Sequence, residues 1–225
     1  YSSNLLERSV DEEIEAVQAH LHLLRSLGSN VMVFAETTGA VHGEMETPVS
    51  TRPCMNEAQW ALFTGRLTQV ADYLAAEGVH MAYHHHMGTV VESQEDIDRM
   101  MAGTGPAVGL LLDTGHLTYA GGDPLKAIAN HGARINHVHC KDIRPDVLQA
   151  SKEDNSSFLN SVLAGVFTVP GDGCIDYTKV YAALQDFNYS GWLVVEAEQD
   201  PAVATPIKYA KMGYKHLAGI VGSGA

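Results

Sequence analysis

Five short apolar runs punctuate the chain, and each delivers a charged or imidazole side chain at its carboxyl end. They are VMVFAE (31–36), VHMAYHHH (79–86), VGLLLD (108–113), INHVHCKD (135–142) and WLVVEAE (192–198). Runs that are apolar throughout, with little alternation, mark strands buried on both faces, as in a parallel sheet covered by helices. The intervening segments carry helical spacing. Ser9 and Glu12 form a capping box, and Ile14, Val17, Leu21 and Leu24 recur until Gly28 supplies a left-handed stop, which predicts a helix over about 10–27. Leu62, Leu67, Val70 and Leu74 predict a second over about 57–77, stopping at Gly78. Further helices are expected near 93–103, 124–131, 177–186 and 206–220. A polar loop runs from 37 to about 55, long enough to read as functional, and a long polar insertion follows Asp142. Asp172 and Gly173, in VPGDGCID, read first as turn residues.

Strand and helix alternate with no linker, which predicts an α/β fold of the (β/α)8 TIM-barrel type. A closed barrel of this class needs eight strands, and five are counted here. At about 30 residues per unit, three further strands with two helices correspond to roughly 70–80 residues. The chain, 1–225, is therefore expected to be one partial barrel domain lacking its first three strands, with residue 1 just past the third.

Composition narrows the function. The 225 residues are 45% hydrophobic, and no apolar stretch approaches the roughly 20 residues of a membrane span. No leader pattern opens the sequence, and Cys54, Cys140 and Cys174 have no paired spacing, so a reduced, cytoplasmic setting is expected. A net charge of −13 opposes binding to a phosphate backbone, which excludes nucleic acid as an expected partner. The 12 histidines cluster at 84–86 and 137–139, where strands end.

In such barrels, chemistry sits at the carboxyl ends of the strands. His84, Asp113, His139 and Glu196 fall there on four successive strands and supply two nitrogens and two carboxylates, a donor set suited to a divalent ion. Alone, Asp113 could be a loop cap. A carboxylate following LVV is harder to explain that way, because burying it unpaired costs several kcal/mol or shifts its pKa. Parity sorts the neighbours. His86 shares a face with His84, whereas His85 points oppositely and is expected in the core; His137, His139 and Lys141 share a face. His116, at the head of a loop, and His137 are candidates for touching substrate oxygens. Lys141 is a candidate acid or oxyanion holder, with a surface salt bridge as its alternative. Glu36 is a candidate base, with loop capping as its alternative.

The phrases YHHHMGTVVES, LLLDTGHLTYAGGDP, INHVHCKDIR, FTVPGDGCIDY and WLVVEAEQDPAVATPIKYAKMGY resemble the xylose-isomerase-like barrel superfamily and, within it, the inosose dehydratases. The resemblance implies a divalent ion, manganese or cobalt, with Asp113, His139 and Glu196 on ligand positions. His84 stands where the superfamily's epimerases and endonuclease have a glutamate. It further implies removal of water from 2-keto-myo-inositol, a cyclic polyol ketone, with Glu196 or Glu36 as base and His86 or Lys141 as acid. Two alternatives are a metal-dependent ketose epimerase or isomerase and a non-catalytic truncated barrel. A homo-oligomer is expected.

Overall fold

A computed structural model describes residues 1–223. Its main sheet is parallel, with β1 (Ser2–Ser3), β2 (Val31–Glu36), β3 (His80–His84), β4 (Val108–Asp113) and β5 (Ile135–Cys140) side by side in chain order. Two strands of a separate ribbon, β6 (Asp142–Ile143) and β7 (Phe167–Thr168), pair antiparallel, and β8 (Leu193–Val195) returns to the main sheet beside β5. The main sheet thus holds six strands and is open, with β1 and β8 at its edges.

The helices fall where periodicity places them. The first, α1, spans Val10–Ser26 behind the Ser9 and Glu12 box, and α2 spans Glu57–Ala76 behind a box formed by Asn56 and Gln59. Gly28 and Gly78 stop them at φ +72° and +80°, a backbone conformation in which a Cβ is strained. After these come α3 (Gln94–Gly103), α4 (Thr114–Tyr119), α5 (Pro124–His131), α6 (Pro145–Glu153), α7 (Phe158–Leu163), α8 (Tyr177–Asp186) and α9 (Pro206–Ser223). Val17, Leu21, Phe63, Leu67, Leu74, Ile128 and Leu184 from the helices meet Met32, Met81, Leu110, Leu112 and Val138 from the strands in one core. Among the described residues no helix is long and apolar enough to cross a membrane.

The structure corrects four expectations. Among the described residues the main sheet holds six strands, not five, because Ser2 and Ser3 pair with Ala35 and Glu36, so residue 1 adjoins a strand and does not lie past one. Two residues are too few to show periodicity. The strand expected to run to Asp142 ends at Cys140, and the one expected to run to Glu198 ends at Val195, so Lys141, Glu196 and Glu198 stand just beyond strand ends. His116 lies in α4, which starts directly after β4 with Asp113 as its N-cap, so it is not in a loop. The polar insertion is structured: α6, α7 and the β6–β7 ribbon gather Ile143, Phe158, Val166 and Phe167 into a second hydrophobic cluster with Val49, Met87 and Tyr119. Val49 comes from the 37–55 loop, which Asn160 also ties by a bond to the Met45 carbonyl. Asp172 serves a turn, accepting from Thr168 and Arg144.

Candidate metal centre

Parallel register brings the polar strand ends together. Asp113 pairs with His139 across β4 and β5, and the Glu196 N–H donates to the Cys140 carbonyl at 3.2 Å as the chain leaves β8. Asp113 is buried completely, and Oδ2 is the hub of the cluster. It lies 3.4 Å from His84 Nε2, 3.5 Å from His139 Nδ1 and 3.5 Å from Lys141 Nζ. Its Oδ1 is committed elsewhere, accepting the His116 backbone N–H at 2.8 Å, so the α4 N-terminus fixes the carboxylate's orientation. Glu196 Oε2 lies 3.1 Å from both His139 Nδ1 and Lys141 Nζ.

Lys141 extends its ammonium into the cluster from just past β5. The side chain is 1% exposed, and Nζ contacts Glu198 Oε2 and lies 2.9 Å from His116 Nε2. Burial alone would lower the lysine's pKa, but Asp113, Glu198 and Glu196 together raise it, so it stays charged. Burial would likewise raise the Asp113 carboxyl, but the ammonium and the flanking imidazoles hold it well below the usual carboxylate range. His139 is driven in two directions. Burial disfavours its charge, yet Asp113 and Glu196 outweigh burial and bring it up to about 9.

Side chains alternate along the histidine run. His84 and His86 turn into the cluster, their rings 5.4 Å apart. His85 turns to the other side and accepts the Asp113 backbone N–H on Nε2 at 3.2 Å. His86 Nδ1 lies 2.8 Å from the Met87 carbonyl, which can only accept, so the proton is on Nδ1 and Nε2 carries a lone pair. That leaves His86 without a proton to give toward the site. His116, 1% exposed, packs its ring 3.9 Å from that of His86 and 5.3 Å from Phe167. His137 stands two residues earlier on β5, its ring 5.4 Å from that of His139, and burial lowers its pKa to about 4.

Glu36 stands apart from these ion pairs. Its Oε2 accepts from Ser3 Oγ and the Leu5 N–H, both at 2.7 Å, and its Oε1 from the Thr38 N–H at 3.0 Å. Its carboxylate closes the β1–β2 edge, which is the capping role. Sequence reasoning missed Glu198. Its backbone is left-handed, φ +43°, an uncommon state for a glutamate and a form of strain that clusters at functional sites. It follows Glu196 by two residues, so the parity that selected His86 and Lys141 could have found it.

The donors fit a divalent ion. Three carboxylates face one lysine and the charged His139, which leaves the cluster net negative. His139 Nδ1 and Glu196 Oε2 are buried, 3.1 Å apart and without a well-aligned hydrogen bond; with no ion they pair by charge, and a divalent ion that displaced the imidazole proton would be held by both. His84, Asp113 and His139 place ligand atoms within 4.8 Å of one another, and Glu196 adjoins them through His139. A cavity of about 720 Å³ lies elsewhere, lined by residues that open β2, β5 and β8, such as Val31, Ile135 and Trp192. It is at the opposite end of the strands from these donors.

Known proteins resemble this chain in sequence and in fold. The family described as "Xylose isomerase-like TIM barrel" matches residues 2–219. The chain is 49% identical to the rhizopine catabolism protein MocC of Rhizobium meliloti over 97% of its own length and 67% of that protein's. It is 44% identical to an inosose dehydratase of Geobacillus thermodenitrificans over 96% of its length and 74% of that enzyme's. Among solved structures, the IOLI protein with a binding zinc atom superposes with a TM-score of 0.68 at 18% identity, over 99% of this chain and 76% of that one, a likeness of fold. Matched along nearly its whole length by sequence and by backbone, the chain belongs to the xylose isomerase-like TIM barrel family, with inosose dehydratases and the rhizopine catabolism protein MocC among its relatives.

Proposed function

We propose that the chain removes water from 2-keto-myo-inositol with the aid of one divalent ion, manganese or cobalt, held by His84, Asp113, His139 and Glu196. The observation that carries this reading is the buried pair His139 Nδ1 and Glu196 Oε2, 3.1 Å apart without a well-aligned hydrogen bond, beside the Asp113 hub. When bound, the ion supplies Lewis acidity to a ketone oxygen and its neighbouring hydroxyl, which makes the adjacent C–H acidic.

The chain's own residues then divide the proton transfers. Glu196, the more exposed of the cluster's acids, is the base that takes the proton from the carbon beside the ketone. Glu36, with both oxygens engaged by the fold, is left to capping. The Lys141 ammonium gives a proton to the β-hydroxyl as the C–O bond breaks, so one water leaves and the ring gains a C=C bond. His86 Nε2 and His116 offer hydrogen-bonding positions around the substrate, and His137 adds one beside His139. Phe158 and Phe167 wall the cluster, 5.1 Å from His86 and 5.3 Å from His116, and keep bulk water from the lysine.

The test is the mass of the product formed in a single turnover of 2-keto-myo-inositol with saturating Mn²⁺. Loss of one water is expected. A product of unchanged mass and altered stereochemistry would replace this reading with an epimerase, and no product would leave a binding protein.

A further inference from the structure

Beside the donors assigned to the ion, a second set converges. His86, His116 and Glu198 place ligand atoms within 4.8 Å of one another. The two sets adjoin through Asp113, whose Oδ2 is 3.9 Å from His116 Nε2. The second set is built as ligands are built. The Met87 carbonyl holds the His86 Nδ1 proton and thereby aims the Nε2 lone pair inward, 4.0 Å from Glu198 Oε1. His116 turns Nε2 toward the same point, and Glu198 reaches it only by adopting a left-handed backbone.

What these donors grip is an ammonium. Lys141 Nζ contacts Glu198 Oε2 and lies 2.9 Å from His116 Nε2. We propose that Lys141 Nζ occupies a second cation site formed by His86, His116 and Glu198, acting as a covalently tethered substitute for a second metal ion. The inference rests on an ion in the first site, because an ion there repels the ammonium from Asp113 and Glu196 and drives it toward Glu198 and His116. Removing the lysine should therefore open the second site to a divalent ion.

The experiment counts ions. Wild-type protein is loaded with Mn²⁺, dialysed and analysed for metal, then compared with Lys141→Ala and with Lys141→Val, which keeps more of the packing against Phe167. The expected count rises from about one ion per chain to about two in the variants. Ions in adjoining sites, about 3.5–4 Å apart in two-metal centres generally, broaden each other's paramagnetic resonance, which distinguishes them from ions bound at the surface. Adding His116→Ala to Lys141→Ala should return the count to about one. A folded variant that still binds one ion overturns the inference, as does a wild-type chain that already binds two coupled ions. A wild-type chain that binds none overturns instead the metal reading on which the inference stands. Should neither lysine variant fold, His116→Ala in the otherwise native chain decides: one ion retained is expected, and loss of that ion makes His116 a ligand of the first site and overturns the proposal.

Discussion

The backbone N–H of Asp113 donates to Nε2 of His85 at 3.2 Å, so the histidine that faces away from the cluster holds in place the residue at its centre. Asp113 N is buried, and an unpaired buried donor costs about 1–3 kcal/mol. His85→Leu should lower stability by about that amount and weaken ion binding, because the α4 N-terminus and its cap would loosen together. His85→Gln, whose side-chain oxygen can accept the same N–H, should recover part of both. Denaturant midpoints of the metal-free proteins and Mn²⁺ titrations decide this, and a His85→Leu protein equal to wild type in both would remove the proposed support.

This bond also shows what the sequence makes legible. Alternation along HHH separates His85 from His84 and His86, and the same rule groups His139 with Lys141, since side-chain direction in a strand needs only a count of residues. Register is another matter. Nothing in VGLLLD or INHVHCKD states that Asp113 pairs with His139, and nothing in the first three residues marks Ser2 and Ser3 as a strand. Glu198 shares the parity of Glu196, as His86 shares that of His84, but only the structure shows that a left-handed backbone past the end of β8 directs it to the cluster. The insertion reads as polar because its apolar residues are few, yet Phe158 and Phe167 suffice to seed a second cluster.

The metal-free protein should lose stability on the acid side first. Burial holds His85 down to about 3 and His137 to about 4, and lowers His84, His86 and His116 as well. A histidine with a lowered folded pKa favours the folded state above its unfolded value of 6.5, and that stability is lost as pH falls from 6.5 toward 4 because the unfolded chain binds more protons. His139 has the opposite sign: its contribution is present below 6.5 and disappears as pH rises through about 9. Chemical denaturation in the presence of a chelator should therefore show stability rising steeply between pH 4 and 6.5. A flat profile across that window contradicts the burial of these rings.

Gly115 tests the placement of Lys141 without touching it. A Cβ at Gly115 would lie 2.6 Å from Lys141 Cγ and 2.8 Å from its Cβ, so the lysine stem must move. Gly115 is the second residue of α4, where helix propensity weighs little, and the nearest atoms belong to the Lys141 side chain alone, so the lysine yields before the fold does. Gly115→Ala should keep the ion and the fold while lowering kcat by about tenfold or more, since displacement of a reacting group by about 1 Å is costly. Unchanged kcat with unchanged ion content would mean that the lysine's position is not critical.

Ligands and reacting groups should separate cleanly when Asp113→Ala is set beside Lys141→Ala and His86→Ala. Asp113 Oδ2 is the atom around which His84, His139 and Lys141 gather, and its loss removes the hub of the first site together with the N-cap of α4. Asp113→Ala should retain no ion after dialysis, and activity should fall with it. Lys141 and His86 each stand two residues from a ligand on the same face, near enough to reach substrate oxygens without holding the first ion. Their alanine variants should keep that ion while turnover falls, by about 10²-fold or more for Lys141, the usual scale for losing a proton-transfer group, and by less for His86, which accepts a hydrogen bond from substrate and transfers no proton. An interaction made chiefly in the transition state lowers kcat, whereas loss of a ligand removes the cofactor itself. Metal content and kcat measured on the same preparations decide the matter: an Asp113→Ala protein that holds as much ion as wild type sinks the ligand assignment, and a Lys141→Ala protein with full turnover removes the lysine from the chemistry.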